Sequence, residues 1–122
     1  MPKRENYMTV KIYHNPRCSK SRQTLALLTD RGVTPQIIEY LKDTPTEADI
    51  RDVAKMLGLS SVRDMMRTGE SIYKELNLKD VSDEDRLVRA MTQNPKLIER
   101  PIVLKDGKAI IGRPPESVLS LF

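Results

Sequence analysis

The first forty residues carry the pattern of a strand, a helix and a second strand. The apolar run in TVKIYH predicts a short strand that ends before the turn residue Pro16. Apolar leucines within the polar stretch Ser19–Asp30 predict a helix, and Gly32 supplies the left-handed stop that helices favour. Pro35 then introduces QIIEYL, which predicts a second strand through Leu41. This order is typical of a βαβ unit, so the two strands are expected to be parallel.

The middle of the chain, from about residue 46 to 98, has the pattern of several short helices. Thr46 and Asp49 form a helix-capping motif that precedes apolar residues at helical spacing. Ser61 is expected to begin another short helix, and Ser82 to cap a further one. The buried faces of the first and last of these helices are predicted to be Ile50, Val53, Ala54 and Leu57, and Leu87, Val88 and Met91.

The last quarter of the chain returns to strand patterns. PIVLKDGKAIIG contains two apolar runs around Asp106-Gly107, a pair typical of a two-residue hairpin turn. Pro114 stands where a final helix begins, and Val118, Leu119 and Leu121 are expected to face inward. The resulting order predicts an α/β fold of the thioredoxin-like (glutaredoxin-like) type, a mixed four-stranded sheet with an all-helical insertion. We expect residues 1–122 to form a single domain.

Composition narrows the class of protein. The 122 residues contain 21 Lys and Arg against 17 Asp and Glu, a net charge of +4 that is spread along the chain. Without a Lys/Arg run, and with only 4% aromatic residues for base stacking, we expect no binding to nucleic acid. No apolar stretch approaches the roughly 18 residues of a membrane span, and residues 1–8 form a polar extension unlike a secretion signal. We therefore expect a cytoplasmic protein that does not bind membranes.

The chain has one cysteine, Cys18, in the segment HNPRCSKSR, where the first strand gives way to the first helix. A single cysteine cannot form an internal disulfide or a multi-cysteine zinc site, and we expect neither a metal nor a bound cofactor. The first N–H groups of a helix have no intrahelical partner and stabilise a thiolate or a bound anion. Such positions lower a cysteine pKa from ~8.5 to about 3.5–7.5. We therefore predict a reactive thiolate and not a buried, inert thiol.

Cations surround this cysteine in the sequence. Arg17, Lys20 and Arg22 are its neighbours, and His14 either caps the strand end or tunes the thiolate. Three more arginines are candidates for binding an oxyanion, because the planar guanidinium suits tetrahedral anions. They are Arg67, Arg100 and Arg113. The last two each precede a proline, which constrains the backbone that aims the side chain.

Several segments together resemble the ArsC family of glutaredoxin-dependent arsenate reductases. They are HNPRCSKSR, EYLKDTPT, SVRDMMR, NPKLIERPIV and GRPPESVL, and they span most of the chain from about residue 9 to 121. The resemblance is strongest to bacterial arsenate-reductase-like proteins with Arg-Cys-Ser-Lys-Ser at the active site. It implies a thioredoxin-like fold and an oxidoreductase that acts on arsenate or a similar oxyanion. We expect the protein to be a monomer.

The resemblance also implies roles for individual residues. Cys18 is expected to attack arsenate, and the family's arginine triad corresponds to Arg67, Arg100 and Arg113. The side chains expected to shape the environment of the thiolate are His14, Asn15 and Ser21. Pro101 is expected to follow a cis peptide bond beside the cysteine. Reduction is expected to use glutathione as co-substrate and glutaredoxin to release Cys18 from a mixed disulfide, which fits a chain with one cysteine.

One departure and two alternatives accompany this resemblance. The best-known members of the family have Gly-Thr after the cysteine, whereas this chain has Ser19-Lys20, so Lys20 is a further candidate for oxyanion binding. One alternative is an Spx-like redox-responsive regulator of RNA polymerase, but such proteins commonly carry a C-x-x-C switch and position 21 is Ser. The other alternative is a glutathione-linked thiol oxidoreductase that is not specific for arsenate.

Overall fold

The computed structural model describes residues 10–122, which form two compact units. The first unit contains the described residues up to Asp43 together with Arg100–Phe122, and the second unit is Thr44–Glu99. The predicted polar extension, residues 1–8, lies outside the described residues. The expectation of a single domain stays a prediction.

The first unit is built on a mixed sheet. Within residues 10–122, four strands form this sheet in the spatial order β2-β1-β3-β4. The strands are β1 (Lys11–Tyr13), β2 (Gln36–Ile38), β3 (Ile102–Lys105) and β4 (Lys108–Ile111). β1 pairs in parallel with β2 and antiparallel with β3, and β3 pairs antiparallel with β4. The predicted mixed four-stranded sheet is confirmed.

The hairpin between β3 and β4 turns on the two residues that the sequence indicates. Asp106 has φ of 52° and Gly107 has φ of 79°, so both central residues lie in the left-handed region. Two-residue turns of this kind match the right-handed twist of the flanking strands. The predicted hairpin is therefore confirmed.

The helix after β1, α1, spans Ser19–Asp30 as predicted. Gly32 follows its end with φ of 79° and donates its N–H to the carbonyl of Thr29 at 3.0 Å. The buried side chains of α1 include the polar Ser21 and Thr24 as well as Leu28. A hydrophobic cluster joins the helix to the sheet and the chain end, and it consists of Val10, Ile12, Leu28, Val33, Val103 and Val118.

The second strand is shorter than the sequence predicts. The prediction through Leu41 is wrong, because β2 ends at Ile38 and the chain then turns. The N–H groups of Lys42 and Asp43 donate to the carbonyl of Glu39 at 2.9 and 2.8 Å, which closes the turn. The apolar pattern did not distinguish a strand from a largely exposed turn that buries one residue, Tyr40.

The second unit is composed of short helices. They are α2 (Glu47–Met56), a 3₁₀ helix (Val62–Met65), α3 (Ser71–Glu75), a 3₁₀ helix (Leu78–Asp80), α4 (Glu84–Gln93) and a 3₁₀ helix (Pro95–Leu97). The capping motif at the start of α2 is present: the Asp49 N–H donates to the Thr46 hydroxyl at 3.1 Å, and the Thr46 N–H donates to the Asp49 carboxylate at 3.0 Å. Ser61 caps the 3₁₀ helix that follows α2.

Two details of the helical predictions change. The prediction that Ser82 caps α4 is wrong, because the Asp83 carboxylate accepts the N–H of Asp85 at 3.0 Å and is the cap. Asp83 is acidic, so it also complements the positive end of the helix dipole. The predicted buried faces are confirmed for Ile50, Val53, Ala54, Leu87, Val88 and Met91, while Leu57 is half-buried.

The chain ends in a 3₁₀ helix over Pro115–Leu121. Of the residues expected to face inward, Val118 is fully buried, whereas Leu119 and Leu121 are half-buried. Among residues 10–122, no helix is both long enough and apolar enough to cross a membrane.

The close packing at Gly112 yields a stability prediction. A Cβ at this position would lie 2.7 Å from the Thr24 Oγ1 atom and 2.9 Å from the Pro101 Cγ atom. We expect Gly112→Ala to lower the free energy of unfolding by about 1–3 kcal/mol, measured by chemical denaturation, because the added methyl overpacks the site.

Gly69→Ala is the matched control, since among the described residues nothing lies within 4 Å of a Cβ there and its φ is not positive. We expect this variant to unfold like the parent or slightly later. Equal midpoints for the two alanine variants would contradict the packing described here.

Candidate active site

Cys18 is the cap residue at the amino end of α1. Its backbone is extended, with φ of −92° and ψ of 123°, and its carbonyl accepts the N–H of Arg22 at 3.0 Å. The Cys18 N–H donates to the carbonyl of Asn15 at 3.0 Å, which closes the turn between β1 and α1. The side chain is partly exposed. The thiol is therefore accessible and sits where the first N–H groups of the helix are free to bind an anion.

The environment favours the thiolate form of Cys18. Burial opposes ionisation, but the backbone N–H of Ser21, the guanidinium of Arg100 and the backbone N–H of Lys20 donate to the sulfur and together lower the pKa of Cys18 below its ordinary value. Hydrogen bonds to the charged form and a neighbouring positive charge both stabilise a thiolate. The net result is a nucleophile that is ionised at a lower pH than a free cysteine.

A buried polar network supports the loop that carries Cys18. The Ser21 hydroxyl oxygen accepts the N–H of Asn15 at 3.0 Å and lies 2.9 Å from Nδ1 of His14. The Asn15 Oδ1 atom accepts the N–H of Arg17 at 3.0 Å. His14, Asn15 and Ser21 thus form one hydrogen-bonded group that connects the end of β1 to the first turn of α1.

The His14 side chain is buried, with 6% of the residue exposed, and the backbone N–H of His14 donates to the carbonyl of Ile38 at 2.9 Å. Burial, together with the charge of Arg22 and against the opposing effect of Glu39, lowers the pKa of His14. A lowered pKa favours the neutral imidazole at pH 7, and the ring contacts the loop that carries Cys18 through the Ser21 hydroxyl.

Arg100 and Arg113 lie beside Cys18 within the first unit. The Arg113 Nη2 atom is 4.0 Å from the Cys18 Sγ atom, and the Arg113 Nε atom donates to the carbonyl of Arg100 at 2.9 Å. Arg100 interacts with the thiolate through its guanidinium. The structure therefore brings two of the three candidate arginines to the sulfur.

Both of these arginines precede cis peptide bonds. The resemblance implied a cis bond before Pro101, and the Arg100–Pro101 bond is cis. The Arg113–Pro114 bond is also cis, which sequence reasoning did not anticipate. Pro101 is buried, and its carbonyl accepts the N–H of Gly112 at 2.8 Å, so the two Arg-Pro segments are tied together.

The other cations near Cys18 are exposed. The side chains of Arg17, Lys20 and Arg22 face solvent, and the Arg22 Nη1 atom donates to the carbonyl of Pro16 at 2.9 Å. Lys20 contributes a backbone N–H to the thiolate, while its ammonium group adds positive charge at the surface.

Arg67 belongs to the second unit and is described within it. Its Nε atom is 3.3 Å from the Glu70 carboxylate and its Nη1 atom is 3.2 Å from the Glu99 carboxylate. The backbone N–H of Arg67 donates to the carbonyl of Leu97 at 2.7 Å. Two carboxylates therefore fix the orientation of this guanidinium.

Sequence reasoning missed Tyr40, which is fully buried and is one of the groups that raise the pKa of Arg100. The apolar pattern of QIIEYL assigned it to a strand, and no local signal separates a tyrosine that packs from one that affects an arginine brought from distant sequence. Among residues 10–122, no group of three His, Cys, Asp or Glu side chains could hold a metal ion.

This chain is similar in sequence to several known proteins. The model of the ArsC family matches residues 13–121. The uncharacterized protein YfgD of Escherichia coli (strain K12) is 58% identical over 113 residues, which cover 92% of this chain and 95% of the relative. An arsenate reductase of Neisseria meningitidis serogroup A is 48% identical, over 89% of this chain and 94% of the relative.

A solved structure shares the fold as well as the sequence. The arsenate reductase of Vibrio cholerae superposes with a TM-score of 0.92 at 53% sequence identity, over 94% of this chain and 98% of that chain. The similarity therefore extends over nearly the whole length of both chains.

The lowered pKa of Cys18 predicts the pH dependence of its reactivity. We expect alkylation by iodoacetamide to reach half its maximal rate at a lower pH in the folded protein than in the same chain unfolded in denaturant. Because the folded-state pKa is the lower one, thiolate formation stabilises the fold above the unfolded-state pKa, and this contribution is lost as the pH falls through the folded-state pKa. Identical titration curves in the two states would contradict this.

Proposed function

Because the chain belongs to the ArsC family, we propose that it is an arsenate reductase in which the Cys18 thiolate is the nucleophile. The observation that carries the proposal is the position of Cys18 at the amino end of α1, with the guanidinium groups of Arg100 and Arg113 beside its sulfur. A thiolate in a positively charged, partly exposed setting is suited to attack an anionic centre.

The arginines supply the charge that an oxyanion requires. Arg100 and Arg113 would bind arsenate oxygens and stabilise the negative charge that develops as the sulfur attacks. Arg67 is proposed as the third arginine of this group, in line with the family pattern. The exposed Lys20 would add a further positive charge for the oxyanion, in place of the small Gly-Thr pair of the best-known members.

The proposed reaction moves two electrons from thiols to arsenic. The Cys18 thiolate forms a sulfur–arsenic bond while one arsenate oxygen, protonated from solvent, leaves as water. A glutathione thiolate then attacks the Cys18 sulfur, the sulfur–arsenic bond breaks, and its electron pair reduces arsenic(V) to arsenic(III), released as arsenite. Cys18 is left in a mixed disulfide with glutathione. The glutaredoxin thiolate attacks the glutathione sulfur and releases Cys18 as a thiolate.

The network behind Cys18 supports this cycle. Cys18 leaves the mixed disulfide as a thiolate, and a low thiol pKa makes it a good leaving group. The hydrogen bonds of Asn15 and Ser21 hold the loop in the shape that provides the N–H donors. His14 is neutral and fixes Ser21, so it maintains the geometry of the loop.

Position 21 bears on the alternative of a redox-responsive regulator. In a C-x-x-C switch a second cysteine would occupy this position, whereas here the Ser21 hydroxyl is buried and hydrogen-bonded to the loop. With the reducing partner external, we propose a monomeric cytoplasmic enzyme that uses glutathione and glutaredoxin and carries no bound cofactor.

The reductase proposal is tested by arsenate-dependent oxidation of NADPH, coupled through glutathione, glutathione reductase and glutaredoxin. We expect the parent protein to turn over and Cys18→Ser to lose all arsenate-dependent activity, because the hydroxyl is not ionised at neutral pH. A folded parent protein without arsenate-dependent turnover would overturn the proposal. Reduction of a small glutathione mixed disulfide, measured in parallel, would identify a thiol oxidoreductase that lacks arsenate specificity.

Arginine replacements test the proposed oxyanion site in the same assay. We expect Arg67→Ala, Arg100→Ala and Arg113→Ala each to lower kcat/KM by a factor of roughly 10²–10³, as for the loss of a donor to a developing anion. Arg31→Ala is the control, because Arg31 is exposed and lies at the opposite end of α1 from Cys18. A loss of similar size in Arg31→Ala would show that the effect is not specific to the oxyanion site.

A further inference from the structure

The backbone that carries Arg67 is fixed by pairing within the second unit. The backbone N–H of Arg67 donates to the carbonyl of Leu97 at 2.7 Å, and the backbone N–H of Glu99 donates to the carbonyl of Met65 at 2.9 Å. The buried residues of this antiparallel pairing are Met65, Met66, Leu97 and Ile98. Arg67 and Glu99 therefore extend from neighbouring positions on a fixed backbone.

Glu70 reaches Arg67 from the turn that follows it. The backbone N–H of Glu70 donates to the carbonyl of Arg67 at 3.2 Å, and Glu70 is the cap residue before α3. The side chain of a cap residue commonly accepts an N–H of its helix. In the described part of the chain, the Glu70 carboxylate caps no helix N–H, and its Oε2 atom instead accepts from Nε of Arg67 at 3.3 Å.

The two carboxylates contact different atoms of one guanidinium. Glu70 accepts from Nε, and Oε1 of Glu99 accepts from Nη1 of Arg67 at 3.2 Å. Arginine has five N–H donors in a planar fork, and neither contact uses the two N–H groups of Nη2. The side chains of Arg67, Glu70 and Glu99 are 23%, 28% and 25% exposed, so solvent ions screen these pairs less than pairs at the open surface. The orientation of the guanidinium is therefore fixed while one end of it is left for a ligand.

Arg67, Glu70 and Glu99 also line a surface cavity of about 220 Å³. One water molecule has a share of about 30 Å³ in the liquid, so this cavity has room for a small oxyanion. The guanidinium attracts such an anion, whereas the two carboxylates repel it. Through their charge alone the carboxylates would weaken an oxyanion site, and the contribution that favours it is the orientation that they give to Arg67.

We propose that Glu70 and Glu99 are positioning residues that hold the Arg67 guanidinium so that its Nη2 end is available to an oxyanion. Both act through Arg67 and do not themselves bind the anion. The binding of an oxyanion by Arg67 rests on the proposed function, whereas the orientation of Arg67 by the two carboxylates does not.

The orientation is tested without arsenate by nuclear magnetic resonance of the arginine side chains. The Nε–H signal of Arg67 is identified by its loss in Arg67→Ala, and its rate of hydrogen exchange with water is measured. We expect this exchange to be faster by a factor of about 2–10 in Glu70→Ala, because a hydrogen bond to the Nε–H is lost.

Glu75→Ala is the matched control for this measurement, since Glu75 is an exposed glutamate at the other end of α3. We expect the Arg67 Nε–H to exchange in this variant as in the parent. An unchanged exchange rate in folded Glu70→Ala, or an equal change in Glu75→Ala, would overturn the proposal.

The consequence for the oxyanion is tested in the coupled arsenate assay. We expect Glu99→Ala to lower kcat/KM by a factor of about 2–10, because Arg67 loses a hydrogen bond that orients it. Glu99→Gln is expected to recover most of this loss, since its amide oxygen still accepts an N–H from Nη1. In an Arg67→Ala background, we expect Glu99→Ala to cause no further loss.

The sign of the change separates orientation from charge. If the carboxylates acted only by repulsion, Glu99→Ala and Glu99→Gln would both raise kcat/KM, and that result would overturn the proposal. An equal loss in the Arg67→Ala background would also overturn it. If Glu99→Ala does not fold, Glu70→Ala provides the same comparison. A parent protein without arsenate turnover contradicts the reductase proposal, and the exchange measurement still tests the orientation of Arg67.

Discussion

The interaction on which the site depends is that between the Cys18 sulfur and the first N–H groups of α1. It requires β1 to end and α1 to begin within a few residues, and the loop between them is closed by backbone and Ser21 hydrogen bonds. β1 lies between β2 and β3 in the sheet, so strands on both sides of β1 bring residues to the end of the sheet from which the Cys18 loop leaves. Tyr40 arrives from one side and Arg100 from the other.

The charge beside the thiolate comes from two Arg-Pro segments that are tied together. The Arg113 side chain donates to the carbonyl of Arg100, and the Gly112 N–H donates to the carbonyl of Pro101. Gly112 allows this approach because a side chain there would collide with Thr24 and Pro101. Packing and electrostatics are thus linked, since the contacts that hold the segments also aim the guanidinium groups.

Local patterns were sufficient for much of the fold and for part of the site. The bounds of α1, the Asp106-Gly107 hairpin and the capping motif of α2 follow from short-range chemistry, and so did the placement of Cys18 at a helix start. The end of β2 and the burial of Tyr40 depend on contacts between residues far apart in sequence, which hydrophobic periodicity does not reveal. The cis bond before Pro114 was also not predicted, because local sequence alone favours the trans form.

The central claim is that the Cys18 thiolate attacks an arsenic oxyanion. A glutathione thiolate then attacks the Cys18 sulfur, which breaks the sulfur–arsenic bond and leaves a mixed disulfide. Intact-protein mass spectrometry after mixing the chain with arsenate and glutathione, without glutaredoxin, tests this claim most directly. We predict the addition of one glutathione at Cys18 that forms only when arsenate is present. Absence of the adduct, or its formation to the same extent without arsenate, would contradict the claim.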